Sequence, residues 1–150
     1  MPSILPLQLL EVESDGCHLM CKATVEGREI NMLIDTGASR TVFDSVSIQA
    51  ILGTDLTTLQ SNERLSAGIG TTSLESLFLH IKKFGIGAVT VKNYQAVLID
   101  LGQVNNMYTA LGLPAIEGVL GGDLLISLRA VIDYRKMTLK LYKPKKGVTT

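Results

Sequence analysis

Three consecutive residues, Asp35, Thr36 and Gly37, are the stretch of this sequence best suited to chemistry. They follow a mostly apolar run at positions 30–34, so a carboxylate comes directly after a segment that reads as a buried strand. A buried carboxylate is rare unless it is paired or hydrogen-bonded. Thr36 adds a hydroxyl, and Gly37 adds a backbone that can turn sharply. The pattern therefore predicts a carboxylate that needs a partner.

The elements before Asp35 are predicted to be two strands. Residues 17–25 and 28–34 are strand-like runs joined at Glu26 and Gly27, a plausible hairpin turn. Residues 4–12 are apolar but irregular, which fits an added edge strand or an arm that pairs with a partner. The hairpin leads directly into Asp35.

After Asp35, strands alternate with a few short helices. Asp44 can cap a helix that runs to Leu52 with Val46, Ala50 and Ile51 on one face, and Gly53 ends it. Further strands are predicted in a glycine-tipped hairpin over 64–84, in 89–91 and 95–101, and in a terminal hairpin over 131–142. Residues 103–111 are weakly helical, and a short apolar strand before residue 121 precedes a helical turn from Asp123.

Composition narrows the class of protein. The 150 residues suffice for one domain with its own core, so we expect a single domain over residues 1–150. Lys and Arg number 14, as do Asp and Glu, so the balance gives no reason to expect nucleic acid or an anionic membrane as a partner. The longest apolar stretch, interrupted by Asp123 and Arg129, is too short for a membrane span.

The two cysteines, Cys17 and Cys21, are expected to be free thiols. In a strand they would lie roughly 13 Å apart, too far for a disulfide. Free thiols and the lack of a basic N-terminal leader predict a cytoplasmic protein. Cys17, His18 and Cys21 invite a metal site, but no second Cys or His pair accompanies them, so no metal and no other cofactor is expected.

Three motifs together resemble the retropepsin-like aspartic proteases, the single-lobed relatives of pepsin. They are residues 33–39 around Asp-Thr-Gly, the glycine-rich segment 67–70, and the apolar-apolar-Gly stop at Leu120 and Gly121. The resemblance covers about residues 15–142. It implies an all-β dominated fold, a single-lobed acid protease barrel with one or two short helices, and an aspartic endopeptidase.

The resemblance also implies the roles of individual residues. Asp35 activates water, Thr36 braces two loops across a twofold axis, and Gly37 offers a backbone N–H to the carboxylate. Ala38, Leu120 and Gly121 support the catalytic loop, where Gly121 lets its strand pack closely because it has no side chain. A flap that closes over an extended peptide substrate is formed by Ala67, Gly68, Ile69, Gly70 and Thr71.

The number of Asp-Thr-Gly motifs predicts an assembly. Peptide hydrolysis needs a base for the water and an acid for the carbonyl oxygen and the amine, and two carboxylates about 3 Å apart fill both roles by sharing one proton. No other aspartate in this sequence repeats the motif. We therefore expect a homodimer in which Asp35 of each subunit supplies one carboxylate.

Ala38 predicts the pH range of activity. A hydroxyl residue in its place can stabilise an ionised catalytic carboxylate by a hydrogen bond, and Ala38 removes that bond. The activity optimum is therefore expected nearer neutrality than strongly acidic pH.

Other functions remain open at this point. Asp35 could be a structural turn residue, or could hold phosphate or metal in a phosphotransferase, although no P-loop or second metal carboxylate is present. The principal alternative is an inactive retropepsin-like module that dimerises and binds peptides.

Overall fold

The computed structural model describes residues 1–53, 60–61 and 77–144. This part of the chain contains eleven strands and three short helices. The strands are β1 Ser3–Pro6, β2 Gln8–Val12, β3 Gly16–Val25, β4 Arg28–Ile34, β5 Val42–Asp44, β6 Gln60–Ser61, β7 Leu77–Ile86, β8 Val89–Ile99, β9 Gly118–Leu120, β10 Val131–Asp133 and β11 Thr138–Leu141. The helices are α1 Ser45–Leu52, α2 Gly102–Ala110 and α3 Gly122–Ser127. The flap predicted at 67–71 lies outside the described residues.

Six strands close into a barrel. The order is β3, β4, β9, β5, β8 and β7, and β7 pairs back onto β3 at Thr24 with Gly85 and at Val25 with Phe84. β2 extends the sheet beside β3, and β6 extends it beside β7. Closure leaves the barrel strands with few free edges. The predicted β-dominated barrel is confirmed.

The predicted hairpin before Asp35 is β3 and β4. Its turn places Glu26 at φ 49° and Gly27 at φ 81°, so both central residues are left-handed. Such a turn matches the right-handed twist of the two strands and is favoured in two-residue hairpins. β4 then pairs in parallel with β9, which sets Ile34 beside Leu120.

Two apolar clusters cover the two faces of the sheet. The larger contains alternate residues of the barrel strands, together with an aromatic group in which Phe84 lies 5.2 Å from Phe43 and 6.0 Å from Tyr94 between ring centroids. The smaller lies on the opposite face, where Tyr108 of α2 and Ile116 pack against the sheet. The catalytic-loop candidate therefore begins in a sheet that is packed on both sides.

A second, three-stranded sheet joins the two ends of the described chain. β1 pairs with β11, and β11 pairs with β10 in the predicted terminal hairpin. The N-terminal segment thus forms an edge strand, β2, and an arm, β1, that pairs within its own chain. Ser3 strengthens this attachment by accepting a hydrogen bond from Ala88 N at 2.8 Å.

Helix α1 has the predicted ends but a different buried face. Asp44 accepts a hydrogen bond from Ser47 N, and Gly53 ends the helix at φ 63°. The fully buried residue is Ile48, whereas Val46 and Ala50 are exposed, so the predicted apolar face is wrong at these two positions and right only at Ile51. Ile51 and Leu52 are half-buried and pack with Ile48 against the larger cluster, so this side of α1 faces the core. No helix in the described ranges has the length and apolarity needed to cross a membrane.

Candidate active site

The Asp35 loop, residues 35–41, begins where β4 ends. The backbone N–H of Asp35 donates to the carbonyl of Leu120 at 3.0 Å, which continues the parallel pairing with β9 by one residue. The side chains of Asp35 and Thr36 are exposed. The expectation of a buried carboxylate is wrong for the single chain, because Asp35 lies beyond the last buried residue of the strand.

The carboxylate of Asp35 is oriented by its own turn. Its Oδ1 accepts a hydrogen bond from Gly37 N at 2.9 Å. A Cβ on Gly37 would lie 3.2 Å from the same oxygen, closer than nine in ten such contacts, and the φ of Gly37 is not positive. Glycine here therefore provides space for the carboxylate rather than a special backbone conformation.

β9 and the glycines after it lie directly behind the loop. A Cβ on Gly121 would lie 2.5 Å from the carbonyl oxygen of Arg40 and 2.9 Å from that of Ala38. Gly122 N donates to the same Ala38 oxygen at 2.7 Å. Leu120 is fully buried. The two backbones thus approach at a distance that only a glycine at position 121 permits.

The methyl group of Ala38 packs against the smaller apolar cluster. The backbone N–H of Ala38 donates to the carbonyl of Asp35 at 3.2 Å. Ala38 therefore ties the loop to the sheet on its apolar side. The pH range expected from Ala38 stays a prediction.

Sequence reasoning missed a hydrogen-bonded group behind the loop, formed by Thr41, Asp123 and Tyr94. Asp123 Oδ1 accepts bonds from Thr41 N at 2.7 Å and Thr41 Oγ1 at 2.8 Å, and its Oδ2 accepts from the Tyr94 hydroxyl at 3.0 Å. Thr41 Oγ1 in turn accepts from Gly121 N at 2.9 Å. Burial, and then the neighbouring Asp123, raise the pKa of the Tyr94 hydroxyl above its ordinary value.

A sequence signal for this group existed in part. Asp123 was expected near the start of α3, and it does lie in the first turn, but its carboxylate turns away from the helix end to the Thr41 side chain. Thr41 and Asp123 lie 82 residues apart in the sequence, and only the fold brings them into contact. Their pairing could therefore not be predicted from the sequence. Nothing in the sequence around Tyr94 indicated that its hydroxyl would bond to Asp123.

The other aspartates with hydrogen bonds serve different segments. Asp44 caps α1 and also accepts the N–H of Leu101. Asp100 accepts the N–H of Gly102, and Asp133 accepts that of Lys136. Asp100 repeats the local geometry of Asp35, since its Oδ1 accepts from the N–H two residues ahead at 2.8 Å. It is exposed at the start of α2.

The residues considered for a metal do not gather. Cys17 and Cys21 are free thiols, and burial raises the pKa of the Cys21 thiol to about 12. His18 Nδ1 lies 2.5 Å from the Tyr108 hydroxyl. In the described part of the chain, no three side chains of His, Cys, Asp or Glu come close enough to hold a metal ion.

Comparisons with known proteins concern the family and the fold of this chain. The profile of a family described as aspartyl protease matches residues 21–124. A retropepsin-like aspartic protease from Rickettsia conorii has a similar structure, with a TM-score of 0.59 and 20% identity over 94% of this chain and 90% of that one. The retroviral protease-like domain of Ddi1 from Leishmania major gives a TM-score of 0.55 and 13% identity over 87% of this chain and 90% of that one. No curated protein matches the sequence significantly.

Proposed function

Because the chain belongs to the aspartyl protease family, we propose that two copies of it form an aspartic endopeptidase, to which Asp35 of each subunit contributes one carboxylate. The observation that carries this proposal is an exposed Asp35 carboxylate on a loop whose backbone is held from behind by β9 and Gly121. An exposed acid on a firmly held loop is suited to meet its own copy across a twofold axis.

The chemistry follows from two carboxylates that share one proton. The ionised Asp35 takes a proton from a water held between the pair, and that water attacks the peptide carbonyl. The protonated Asp35 of the second subunit donates a hydrogen bond to the carbonyl oxygen. The peptide C–N bond then breaks as the first Asp35 passes its new proton to the leaving amine, and the pair again shares one proton.

The neighbouring residues would support this reaction without taking part in bond making. Gly37 N holds one Asp35 oxygen, which leaves the other free to face the water. Thr36 is exposed next to Asp35, where its hydroxyl can reach the second loop. We assign the segment 67–71 to a flap over an extended peptide on the resemblance of its glycine-rich sequence alone.

The test is cleavage of a peptide library by the purified chain, with Asp35→Asn as the active-site variant. Asp35→Asn removes the ionisable group and keeps the size of the side chain, so we expect turnover to fall at least about 10³-fold. Asp100→Asn is the matched control, because Asp100 makes the same local hydrogen bond and lies elsewhere. It should keep full turnover, and a transition-state mimic of the pepstatin type should inhibit both active proteins.

Two outcomes would count against the proposal. Cleavage that survives Asp35→Asn would assign the activity to another group or a contaminant. A wild-type chain that binds peptides but cleaves none would favour the inactive peptide-binding module.

A further inference from the structure

We propose that Thr41, oriented by Asp123, is a positioning residue of the active site, whose hydroxyl holds the backbone of Asp35 through a single peptide group. The expected effect on catalysis rests on the proposed function, whereas the hydrogen bonds that hold Asp35 do not depend on it. It concerns residues on three separated segments of the chain.

The connection runs through the peptide group between Leu120 and Gly121. The carbonyl of this group accepts the Asp35 N–H at 3.0 Å, and its N–H donates to Thr41 Oγ1 at 2.9 Å. Thr41 Oγ1 then donates to Asp123 Oδ1 at 2.8 Å. One planar unit thus carries a hydrogen bond at each end, so a tilt that lengthens one bond disturbs the other.

The carboxylate of Asp123 sets the direction of these bonds. An ionised carboxylate only accepts hydrogen bonds, and Asp123 accepts from Thr41 N, Thr41 Oγ1 and the Tyr94 hydroxyl. The Thr41 hydroxyl therefore donates a hydrogen bond to Asp123, and its oxygen accepts the hydrogen bond from Gly121 N. Bonds to a charged acceptor are stronger than neutral ones, and successive bonds polarise each other.

Burial prevents water from replacing these contacts. Thr41 is 0% exposed, Leu120 is 1% exposed and Tyr94 is 5% exposed. The close approach of Gly121 to the carbonyls of Ala38 and Arg40 leaves no space in which the peptide group could shift. A loss of the Thr41 hydroxyl would leave Gly121 N without an acceptor inside the protein.

The proposed dimer requires such a hold. It brings two carboxylates to about 3 Å from each other, where they cannot both ionise without strong repulsion. Sharing one proton relieves that repulsion only while the two carboxylates stay within hydrogen-bonding distance. Hydrogen bonds that fix the Asp35 backbone from behind maintain that distance, and a misplacement of about 1 Å can cost roughly 100-fold in rate.

The test compares Thr41→Val with Thr41→Ser. Val keeps the volume of Thr and removes the hydroxyl, whereas Ser keeps the hydroxyl and removes the methyl group. We expect Thr41→Val to lower kcat about 100-fold, with KM changed by less than about 3-fold, and Thr41→Ser to stay within about 3-fold of wild type. Active sites are counted by titration with the transition-state mimic, so that a change in the folded fraction does not enter kcat.

Two further readouts separate positioning from general destabilisation. Amide hydrogen exchange measured by NMR should become at least about 10-fold faster at Asp35 and Gly121 in Thr41→Val, and stay unchanged at Ala23 in the barrel. The bell-shaped pH profile of kcat/KM should also narrow in Thr41→Val, because carboxylates that are farther apart interact less. Loss of folded protein alone would lower kcat/KM by the same factor at every pH and leave the width of the profile unchanged.

Every outcome decides the inference. Equal losses in Thr41→Val and Thr41→Ser would attribute the effect to packing and overturn it, as would a Thr41→Val enzyme with wild-type kcat. If the wild-type protein is inactive, the proposed function fails by itself. The exchange rates at Asp35 and Gly121 then still decide whether Thr41 holds the loop.

Discussion

Gly121 illustrates how a missing side chain fixes the geometry of the Asp35 loop. A methyl group on residue 121 would meet the backbone of Arg40 at 2.5 Å. A backbone carbonyl cannot rotate away as the end of a side chain can, so either β9 or the loop must move. We expect Gly121→Ala to destabilise the fold by about 1–3 kcal/mol in urea titrations and to lower turnover by more than about 100-fold.

Gly122 provides the matched control for this prediction. A Cβ on Gly122 would lie 3.4 Å from Ala38 O, an ordinary contact. Gly122 is also the first residue of α3, where alanine is the better helix former. Gly122→Ala should therefore keep both stability and turnover, and an equal loss in the two variants would show that the close approach at Gly121 is not the cause.

Cys21 predicts how stability changes at alkaline pH. Burial raises the pKa of its thiol from 9.0 to about 12. Between these values the unfolded chain loses a proton that the folded chain keeps, so stability falls as pH rises, by up to about 1.4 kcal/mol per pH unit. Cys21→Ala should flatten this slope in urea titrations between pH 9 and 10.

Cys17→Ala is the comparison for the thiol prediction. Cys17 is exposed on the same strand, so its removal should leave the alkaline slope unchanged. A slope that persists in Cys21→Ala would mean that another group dominates the pH dependence.

At the scale of elements, Asp44 at the end of β5 links the starts of two helices. Its Oδ2 caps α1, and its Oδ1 accepts the N–H of Leu101 at the start of α2 at 2.9 Å. Asp44→Ala removes the cap and leaves the buried Leu101 N–H unpaired. We expect it to lower the free energy of unfolding by about 2–4 kcal/mol, measured by urea titration.

Asp133→Ala is the control for Asp44. Asp133 also accepts a backbone N–H three residues ahead, from Lys136 at 2.8 Å, but in an exposed turn. Its loss should cost less than about 1 kcal/mol, because water can replace the bond. Similar losses in the two variants would contradict the assigned role of the buried Leu101 contact.

The elements with local signals were the ones that the sequence predicted well. Glu26 and Gly27 marked the turn of the first hairpin, and Asp44 and Gly53 marked the ends of α1. These signals lie within a few residues of the structure they specify. The closeness of Gly121 to the Asp35 loop was expected only through the resemblance of the motifs.

Features that depend on distant residues were not predicted. The hydrogen bond between Thr41 and Asp123 joins residues 82 positions apart, and no local sequence pattern predicts it. The burial of Ile48 in place of the face with Val46 likewise depends on what α1 packs against. Tertiary packing decides such positions, and propensity alone does not.

At the scale of the whole molecule, the proposed pair of Asp35 carboxylates predicts how mixed subunits behave. If each site needs Asp35 from both chains, then mixing wild type with an equal amount of Asp35→Asn and allowing exchange leaves about one quarter of the dimers with two acids. We expect the activity per total protein to fall to about one quarter. A site within one chain would give one half.

The control for the mixing experiment is Asp100→Asn at the same ratio. Its mixed dimers keep both Asp35 carboxylates, so the activity should not fall. Sedimentation at the assay concentration supplies an independent check, since a strict monomer that still cleaves peptides would rule out the shared pair.

The pairing of early with late strands determines when the active site can exist during synthesis. Asp35 is held by Leu120, and Thr41 needs Gly121 and Asp123, which lie 80 and 82 residues further along the chain. Contacts between such distant residues form late, because a long loop must close first. A nascent chain that has emerged only as far as β8 therefore carries its Asp-Thr-Gly without the backbone that holds it. If the chain is the protease proposed above, this order of assembly protects newly made subunits from cleaving themselves or their neighbours before they are complete.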